Sequence, residues 1–239
     1  MKSFLFVLLA CTAISAVPVN AGSGCADLAL VLAVDSSSSI DGNEFRLQRL
    51  GYAAAFTNQK VLHALNAAGK VDVSTVYWAD SAFPIVVSKW SRINDHADAL
   101  TFAKSFLVPQ RLVYGDTYLG AGLMAALDQF DVDDRCYTRK LENISGDGRD
   151  TLVGNRRRKH ISVGEARARA DAMDVTVNGL AILNEEQNLA DYYRTQLITG
   201  EGSFVMEVRD LSTFSEAIIQ KLEREIRPQL STSLSLARE

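Results

Sequence analysis

The sequence predicts one α/β domain whose centre is a doubly wound, mainly parallel β-sheet with one antiparallel edge strand and helices on both faces. Strand-length and helix-length patterns alternate along the 239 residues, which is typical of parallel sheets with crossover helices. The run at 28–34 is apolar throughout and indicates a strand buried on both faces. A turn signal at Asp80 and Ser81 separates two further strand patterns, and a hairpin there would supply the antiparallel edge strand.

The first half of the domain is predicted to contain three strands and three helices. The strands cover 27–35, 71–79 and 83–88, and the helices cover 41–66, 94–107 and 118–130. Residues 71–79 alternate between apolar and polar types at the period of a strand, whereas Phe45 and Tyr52 are among the apolar positions of the first helix. Asn94 or Asp95 is expected to cap the second helix.

The second half repeats the same alternation. Its predicted strands cover 140–146, 175–183 and 203–208, and its predicted helices cover 163–173, 189–197 and 211–226. The segment after Pro228 is rich in serine and is expected to be frayed. We therefore assign the domain to residues 22–228 and a flexible tail to residues 229–239.

Residues 1–21 have the pattern of a secretory signal peptide. Lys2 supplies the positive charge, residues 3–16 are apolar, and cleavage is expected after Ala21. Residues 8–11 also loosely resemble a lipoprotein cleavage box, which remains a minor alternative. The apolar stretch is too short for a spanning helix, and we expect no transmembrane segment elsewhere. The sequence thus predicts an exported protein, either periplasmic or secreted.

The charge pattern argues against a nucleic-acid partner. The formal net charge is −4 and no basic stripe is present. The basic run at 156–159 falls in a predicted loop and is interpreted as solvated surface. Asn143 begins an N-glycosylation pattern, but it lies in a predicted buried strand, so we expect no modification there.

The polar loop after the first strand is the most informative motif. Asp35, Ser37 and Ser39 follow the strand in an Asp-x-Ser-x-Ser pattern, which places a carboxylate and two hydroxyls on one tight loop. These hard oxygen donors suit Mg²⁺, Mn²⁺ or Ca²⁺ better than zinc. Taken alone, the motif is equally compatible with a serine-rich loop that caps the helix beginning near Asp41.

Two later loops fall where a metal site would need them. Thr117 precedes the helix predicted at 118–130, and Asp147 follows the strand predicted at 140–146. Singly, Thr117 is most simply a helix cap and Asp147 a turn residue between glycines. Ligand sites of doubly wound sheets lie beyond the carboxyl ends of the strands, where these loops are expected. The three loops together are far less common by chance than any one of them alone.

With these loops the chain resembles the von Willebrand factor A (vWA) domain family and its metal-ion-dependent adhesion site (MIDAS). The five metal positions of that family correspond to Asp35, Ser37, Ser39, Thr117 and Asp147. The resemblance implies that the three hydroxyls ligate the ion directly and that the carboxylates act directly or through water. The implied ion is Mg²⁺, with Mn²⁺ or Ca²⁺ as alternatives.

The resemblance extends over essentially the whole mature chain, to a branch of bacterial exported proteins. Its most specific segments are SGDG at 145–148 and NGLAIL at 178–183. Arg149 and Asp150 depart from the Asn-rich continuation expected after SGDG. The implied function is binding rather than catalysis, because one coordination position of the ion stays open for an Asp or Glu of a partner protein.

Two other functions stay open. A Mg²⁺-dependent hydrolase could use the same carboxylates, but no Gly-x-Ser-x-Gly elbow, P-loop or dinucleotide motif is present. His63, His96 and His160 show no convergent spacing, so none is expected to act as a base. The remaining alternative is a structural scaffold whose metal site is vestigial.

The mature chain keeps two cysteines, and we predict a Cys25–Cys136 disulfide. Cys25 precedes Asp35 by ten residues, and Cys136 precedes Asp147 by eleven. If the two aspartates end neighbouring parallel strands, the nearly equal number of residues before each aspartate places the two cysteines side by side near the amino ends of the strands. That spacing suits a disulfide, and an exported protein meets an oxidising compartment.

Overall fold

The structure is a computed structural model that describes residues 24–80, 85–108, 111–132, 135–151 and 161–228. The strands in these residues are β1 (Ala26–Asp35), β2 (Val71–Trp78), β3 (Val86–Val87), β4 (Ser91–Ile93), β5 (Tyr137–Gly146), β6 (Val175–Ile182) and β7 (Val205–Val208). The helices are α1 (Gly42–Ala55), α2 (Gln59–Ala68), α3 (His96–Ser105), α4 (Leu119–Asp128), α5 (Val163–Ala172), α6 (Leu189–Tyr192) and α7 (Phe214–Ile226). None of the helices in these ranges is long and apolar enough to cross a membrane. The predicted signal peptide and tail lie outside the described residues and stay predictions.

The strands form one sheet in the order β3-β2-β1-β5-β6-β7, with β4 also paired to β2. Strands β1, β2, β5, β6 and β7 are parallel, and β3 and β4 run antiparallel to β2. Helices α1, α2, α3 and α7 cover one face of the sheet, whereas α4, α5 and α6 cover the other. The predicted fold class, a doubly wound and mainly parallel sheet with an antiparallel edge, is confirmed.

The antiparallel edge consists of two short segments. β3 pairs with the end of β2, with Val87 opposite Val76, and β4 pairs with its beginning, with Ile93 opposite Val71. The predicted strand at 83–88 is therefore shorter than expected, and β4 was not predicted because three residues are too few to show a period. The predicted hairpin turn falls partly on residues 81–84, outside the described part of the chain.

The single helix predicted at 41–66 is wrong, because two helices occupy this segment. The Asn58 side chain accepts a hydrogen bond from Lys60 N at 2.9 Å and caps α2. The Thr57 hydroxyl donates to the carbonyl of Ala54 at 3.0 Å. These two polar side chains bind the backbone locally, and such competition ends one helix and begins the next.

Strand β2 is buried along its whole length, although its sequence alternates between apolar and polar residues. Helices cover both faces, and two of the polar positions, Asp72 and Ser74, find partners inside the protein. Asp72 forms ion pairs with Arg92 and Arg135. The Ser74 hydroxyl donates to the carbonyl of Ser88 at 3.0 Å. The alternation identified the strand correctly but did not indicate a solvent-exposed face.

An aromatic cluster fixes α1 against the sheet and its neighbouring helices. The Tyr52 ring stacks on Phe106 with centroids 5.3 Å apart, and Phe56 meets Phe102 edge to face at 4.7 Å. All four side chains are buried, and complete burial of each stabilises the fold by roughly 1.5–3 kcal/mol. Because α1 begins at Gly42, just after the polar loop that ends at Ser39, this packing gives the loop a rigid support.

The disulfide predicted between Cys25 and Cys136 is confirmed. In the pairing of β1 with β5, Ala26 lies opposite Tyr137, so the cysteines that precede them are also neighbours. Their Cα atoms are 4.7 Å apart and the chain separation is 111 residues. The bond joins the amino ends of the two strands whose carboxyl ends carry Asp35 and Asp147.

Asn143 is buried on β5, as the sequence predicted. Its side chain donates to Glu225 Oε2 at 2.6 Å, which connects the strand to α7. In the folded domain this amide is enclosed, so the expectation that it is not a glycosylation site agrees with the fold.

Candidate functional site

The candidate site lies where the chain order of the sheet reverses. From β1 the chain continues to β2 on one side, and β5 later fills the position on the other side. Asp35 is the last residue of β1, and Asp147 directly follows β5. The carboxyl ends of two strands that diverge in this way form a crevice, the usual ligand position in this architecture.

The loop after β1 folds back on its own carboxylate. Asp35 Oδ1 accepts a hydrogen bond from Ser37 N at 2.7 Å, which tightens the turn. The hydroxyls of Ser37 and Ser39 are 3.1 Å apart. Ser37 is buried and Ser39 is exposed, so the loop has one side open to solvent.

The loop after β5 brings the second carboxylate to the same place. Asp147 Oδ1 accepts a hydrogen bond from the Ser39 hydroxyl at 2.7 Å. Gly146 makes this approach sterically feasible, because a Cβ there would lie 2.8 Å from Asp35 Oδ2 and 2.8 Å from the Tyr193 hydroxyl oxygen. A side chain at this position would displace one of the two groups.

Thr117 borders the second loop and is not a helix cap. The N-cap residue of α4 is Tyr118, and it makes no side-chain capping hydrogen bond. The Thr117 hydroxyl oxygen lies 3.2 Å from the position that a Cβ of Gly148 would take. The Thr117 carbonyl also accepts a hydrogen bond from Thr151 N at 2.8 Å, which ties the two loops together.

The structure therefore brings the five predicted residues together. Hydrogen bonds link Asp35 to Ser37 and Ser39 to Asp147, the two hydroxyls meet between them, and Thr117 lies against the residue after Asp147. Two buried oxygens of this cluster, Asp35 Oδ2 and Asp147 Oδ2, have no hydrogen-bond partner among the described residues. A buried carboxylate oxygen without a partner is costly, and a cation between the two would satisfy both.

The pKa values of the two carboxyls also favour a bound cation. Burial, followed by the negative charge of Asp147, raises the pKa of Asp35 to about 7. Burial also raises the pKa of Asp147 to about 6, while its hydrogen bond from Ser39 opposes the rise. Without a cation, the protein thus holds two neighbouring carboxyls whose charged forms are disfavoured.

The donor set fits a hard divalent ion. Two carboxylates and three hydroxyls supply oxygen only, which is the preference of Mg²⁺, Mn²⁺ and Ca²⁺. Among the described residues, no group of three or more His, Cys, Asp or Glu side chains is placed to hold a metal. Hydroxyl oxygens and water are therefore the donors left to complete the coordination of an ion held between the two aspartates.

Sequence reasoning missed how the loop after β1 is held. Ser36 and Ser38 lie between the predicted ligands, and both anchor the loop to the segment before α4. The Ser36 hydroxyl donates to the carbonyl of Val113 at 2.9 Å, and the Ser38 hydroxyl accepts from Gly115 N at 3.1 Å. No signal in the sequence links these serines to residues that lie 77 positions away.

Arg111 was also missed. Its guanidinium donates to the carbonyl of Ser36 at 2.8 Å and to the carbonyl of Ser37. It lies over the rings of Phe45 and Tyr114, at 5.7 Å and 5.0 Å from the ring centroids. One side chain thus joins the loop after β1, helix α1 and the segment before α4.

The residues that depart from the expected pattern after SGDG have structural roles. Asp150 Oδ1 accepts a hydrogen bond from Gly120 N at 3.2 Å, in the first turn of α4. Arg149 forms an ion pair with Glu186 and lies 5.2 Å from the centroid of the Tyr192 ring. Both contacts hold the Asp147 loop against neighbouring elements, one on each side.

A family model described as "Protein of unknown function (DUF1194)" matches residues 24–230. The chain belongs to this family. The match covers nearly all of the predicted domain at 22–228. A search of curated proteins finds no match.

Solved structures share the fold at low sequence identity. The pilus adhesin SpaC from Lactobacillus rhamnosus GG matches with a TM-score of 0.62 and 13% identity, over 85% of this chain and 31% of SpaC. The vWF domain of the type V pili tip protein Mfa5 from Porphyromonas gingivalis matches with a TM-score of 0.54 and 12% identity, over 87% of this chain and 99% of that domain.

A third match is proximal thread matrix protein 1 from the mussel byssus, in a structure with a zinc-occupied MIDAS motif. It has a TM-score of 0.53 and 15% identity, over 84% of this chain and 46% of the mussel protein. This chain spans less than half of the SpaC and mussel chains. Together these similarities confirm the vWA fold that the sequence predicted.

Proposed function

We propose that this protein is a metal-ion-dependent protein-binding domain, which binds an acidic side chain of a partner through a Mg²⁺-type ion. One observation carries the proposal. Asp35 and Asp147 each have a buried oxygen without a partner in the described part of the chain, next to the hydroxyls of Ser37 and Ser39. A divalent cation is the simplest group that satisfies both oxygens, and Mn²⁺ or Ca²⁺ would serve in place of Mg²⁺.

The donor set also explains why a partner would bind. In this proposal the hydroxyls of Ser37, Ser39 and Thr117 ligate the ion, and Asp35 and Asp147 ligate it directly or through water. Three of the five donors are neutral hydroxyls, so few of the ligands carry charge and the ion stays electrophilic toward a further carboxylate. Exposed Ser39 marks the open side, from which a carboxylate of the partner would approach.

The setting supports an exported protein with an adhesive or binding role. The Cys25–Cys136 disulfide is typical of proteins that meet an oxidising compartment. The structural neighbours include a pilus adhesin and a pilus tip protein. Export through cleavage of residues 1–21, to the periplasm or beyond, belongs to the proposal.

The hydrolase alternative has little support in the described residues. His63 lies on α2 and His96 begins α3, and both line a cavity of about 290 Å³ that also includes Ile93. Ile93 pairs with Val71, at the amino end of β2, which is the opposite edge of the sheet from Asp35. His160 lies outside the described residues. A phosphoester screen in Mg²⁺ tests this alternative, and turnover that is lost in Asp35→Ala would favour it.

The proposal is tested by affinity capture from exported fractions, with the mature protein as bait in Mg²⁺ or in EDTA. We expect a partner that is retained only in Mg²⁺ and that Asp35→Ala fails to capture. Glu201→Gln is the matched control, because Glu201 is exposed in the turn that follows Thr199, whose partner Val177 lies near the amino end of β6. Capture that persists in EDTA and in Asp35→Ala would show that the binding surface lies elsewhere. A folded protein that neither binds Mg²⁺ nor captures a partner would favour the scaffold alternative.

A further inference from the structure

We propose that the rim of the site selects the partner protein. In that partner, the carboxylate that binds the metal is flanked by a large apolar side chain, which faces the segment before α4, and by a basic side chain, which faces the β6–α6 loop. This inference rests on the proposed function and extends it to the class of partner. The rim toward α4 is apolar and adjoins the end of β2, where Asp80 N donates to the Tyr114 carbonyl. The rim toward the β6–α6 loop is acidic, and β6 lies on the other side of β1 and β5 in the sheet.

The apolar rim is an unusual surface for this domain. Of the eight large apolar side chains that are exposed among the described residues, four lie in the connection from α3 to α4. Leu112 is 58% exposed and Tyr114 is 44% exposed, and Leu107 and Val108 are exposed at the other end of the same connection. Exposed apolar residues are ordinary when scattered, but a concentration beside a polar site marks an interaction surface.

Leu112 and Tyr114 are physically continuous with the candidate site. Val113, between them, is buried, and its carbonyl accepts the hydrogen bond from the Ser36 hydroxyl. Gly115, which follows Tyr114, forms two hydrogen bonds with Ser38. Ser38 N donates to the Gly115 carbonyl at 2.8 Å, and Gly115 N donates to the Ser38 hydroxyl. The two apolar side chains therefore border the loop that would hold the ion.

Arg111 holds this rim in place. The Tyr114 hydroxyl donates to the Arg111 carbonyl at 2.5 Å, and the Arg111 guanidinium lies over the Tyr114 ring while it donates to the carbonyl of Ser36. A rim that is fixed before binding loses little conformational entropy when a partner docks. The positive charge on this side also favours the approach of a carboxylate.

The opposite rim carries negative charge. Asn184 Nδ2 donates to Glu44 Oε1 at 2.9 Å, which joins the start of α1 to the β6–α6 loop. Glu185 directly follows Asn184 and is exposed, so it adds a second negative charge beside Glu44. Glu186 in the same loop is already paired with Arg149. A basic side chain of the partner would complement Glu44 and Glu185 and would reduce repulsion of the incoming carboxylate.

The inference is tested with a disulfide-constrained random peptide library on phage, selected on the mature protein in Mg²⁺ with elution by EDTA. We expect the enriched peptides to share an Asp or Glu with a large apolar residue on one side and Lys or Arg on the other. Parallel selections use the double variant Leu112→Ser/Tyr114→Ser and, as a control for loss of an exposed apolar residue, Val132→Ser. Val132 is 39% exposed and lies between α4 and Cys136, which precedes the amino end of β5, whereas the site lies at the carboxyl ends of the strands.

In the double variant the apolar preference should disappear and recovery of wild-type-selected phage should fall at least about tenfold, which corresponds to 1.4 kcal/mol. Thermal stabilisation by Mg²⁺ should be unchanged in this variant, because the metal donors are intact. Val132→Ser should behave as wild type. The variant Glu185→Lys should replace the preference for a basic residue by a preference for an acidic one.

The outcomes separate the two proposals. Enrichment of acidic peptides without a flanking preference, or with equal recovery on the double variant, would overturn this inference and leave the proposed function standing. Absence of any Mg²⁺-dependent enrichment would overturn both. If sedimentation shows a wild-type dimer that the double variant lacks, the apolar rim binds a second copy of this chain, and the inference is wrong.

Discussion

Buried carboxylates occur in two regions of this domain, and their surroundings differ. On α7, Glu225 forms a buried ion pair with Lys221 and accepts a hydrogen bond from the Asn143 amide at 2.6 Å. At the carboxyl edge of the sheet, Asp35 and Asp147 are equally buried, but each leaves one oxygen without a partner in the described chain. The fold can therefore satisfy a buried carboxylate from within, but it does not do so at the edge site.

Glu142 is a third case that sharpens the comparison. It is buried on β5 between Val31 of β1 and Val177 of β6, and neither of its oxygens has a partner among the described residues. Burial raises its pKa well above the usual value, and the charge of Lys221 opposes the rise only in part. An isolated carboxyl of this kind becomes neutral by taking up a proton. Asp35 and Asp147 differ because they converge with hydroxyls, which a cation can use.

The largest expected effect comes from breaking the satisfied pair. Lys221→Met should destabilise the protein by about 3–5 kcal/mol, because Glu225 would be left buried without its cation. Chemical denaturation of the mature protein measures this loss. The double variant Lys221→Met/Glu225→Leu should recover most of it, since no charge then remains in the pair. A loss below about 1 kcal/mol for the single variant would mean that the pair is not buried as described.

Glu142→Gln should have a smaller effect of the opposite sign. A carboxyl whose folded pKa is raised costs stability once the pH exceeds its unfolded pKa of about 4.3, so removing it should stabilise the protein by about 1–3 kcal/mol near pH 8. The gain should shrink as the pH falls, and it should vanish near pH 4. Denaturation of both proteins across this pH range provides the measurement. A gain that does not depend on pH would contradict the raised pKa.

The smallest expected change in stability concerns the edge site without metal. In EDTA near neutral pH, Asp147→Asn should stabilise the protein by on the order of 1 kcal/mol, because one of two neighbouring negative charges is removed. The amide oxygen can still accept the hydrogen bond from Ser39. Glu201→Gln again serves as the control and should change nothing. Destabilisation by Asp147→Asn in EDTA would mean that the protein satisfies this carboxylate internally.

The fold and the metal-type loops could be predicted because their signals are local. Continuous apolar sequence identified β1, and the register between β1 and β5 led to the Cys25–Cys136 disulfide. The break between α1 and α2 was also local, but the cap at Asn58 and the hydrogen bond of the Thr57 hydroxyl to the backbone went unrecognised, and the predicted helix therefore ran through them.

The remaining features depend on contacts between distant segments. Arg111 binds carbonyls 74 and 75 positions away, and nothing in the local sequence marks it as part of the site. The apolar rim is likewise defined only when Leu112 and Tyr114 are seen to be exposed beside Ser36. The sequence identifies candidate ligands for an ion, but only the fold shows what surrounds them.

The central claim is that Asp35 and Asp147 leave their oxygens free for a divalent cation, and a Mg²⁺ titration followed by thermal and calorimetric measurements tests it most directly. At a Mg²⁺ concentration about 100 times the dissociation constant, the wild-type protein should gain about 2.7 kcal/mol of stability. Asp35→Asn should gain nothing, and Glu201→Gln should match wild type. A wild-type protein that shows neither heat of binding nor stabilisation with Mg²⁺, Mn²⁺ or Ca²⁺ would contradict the account.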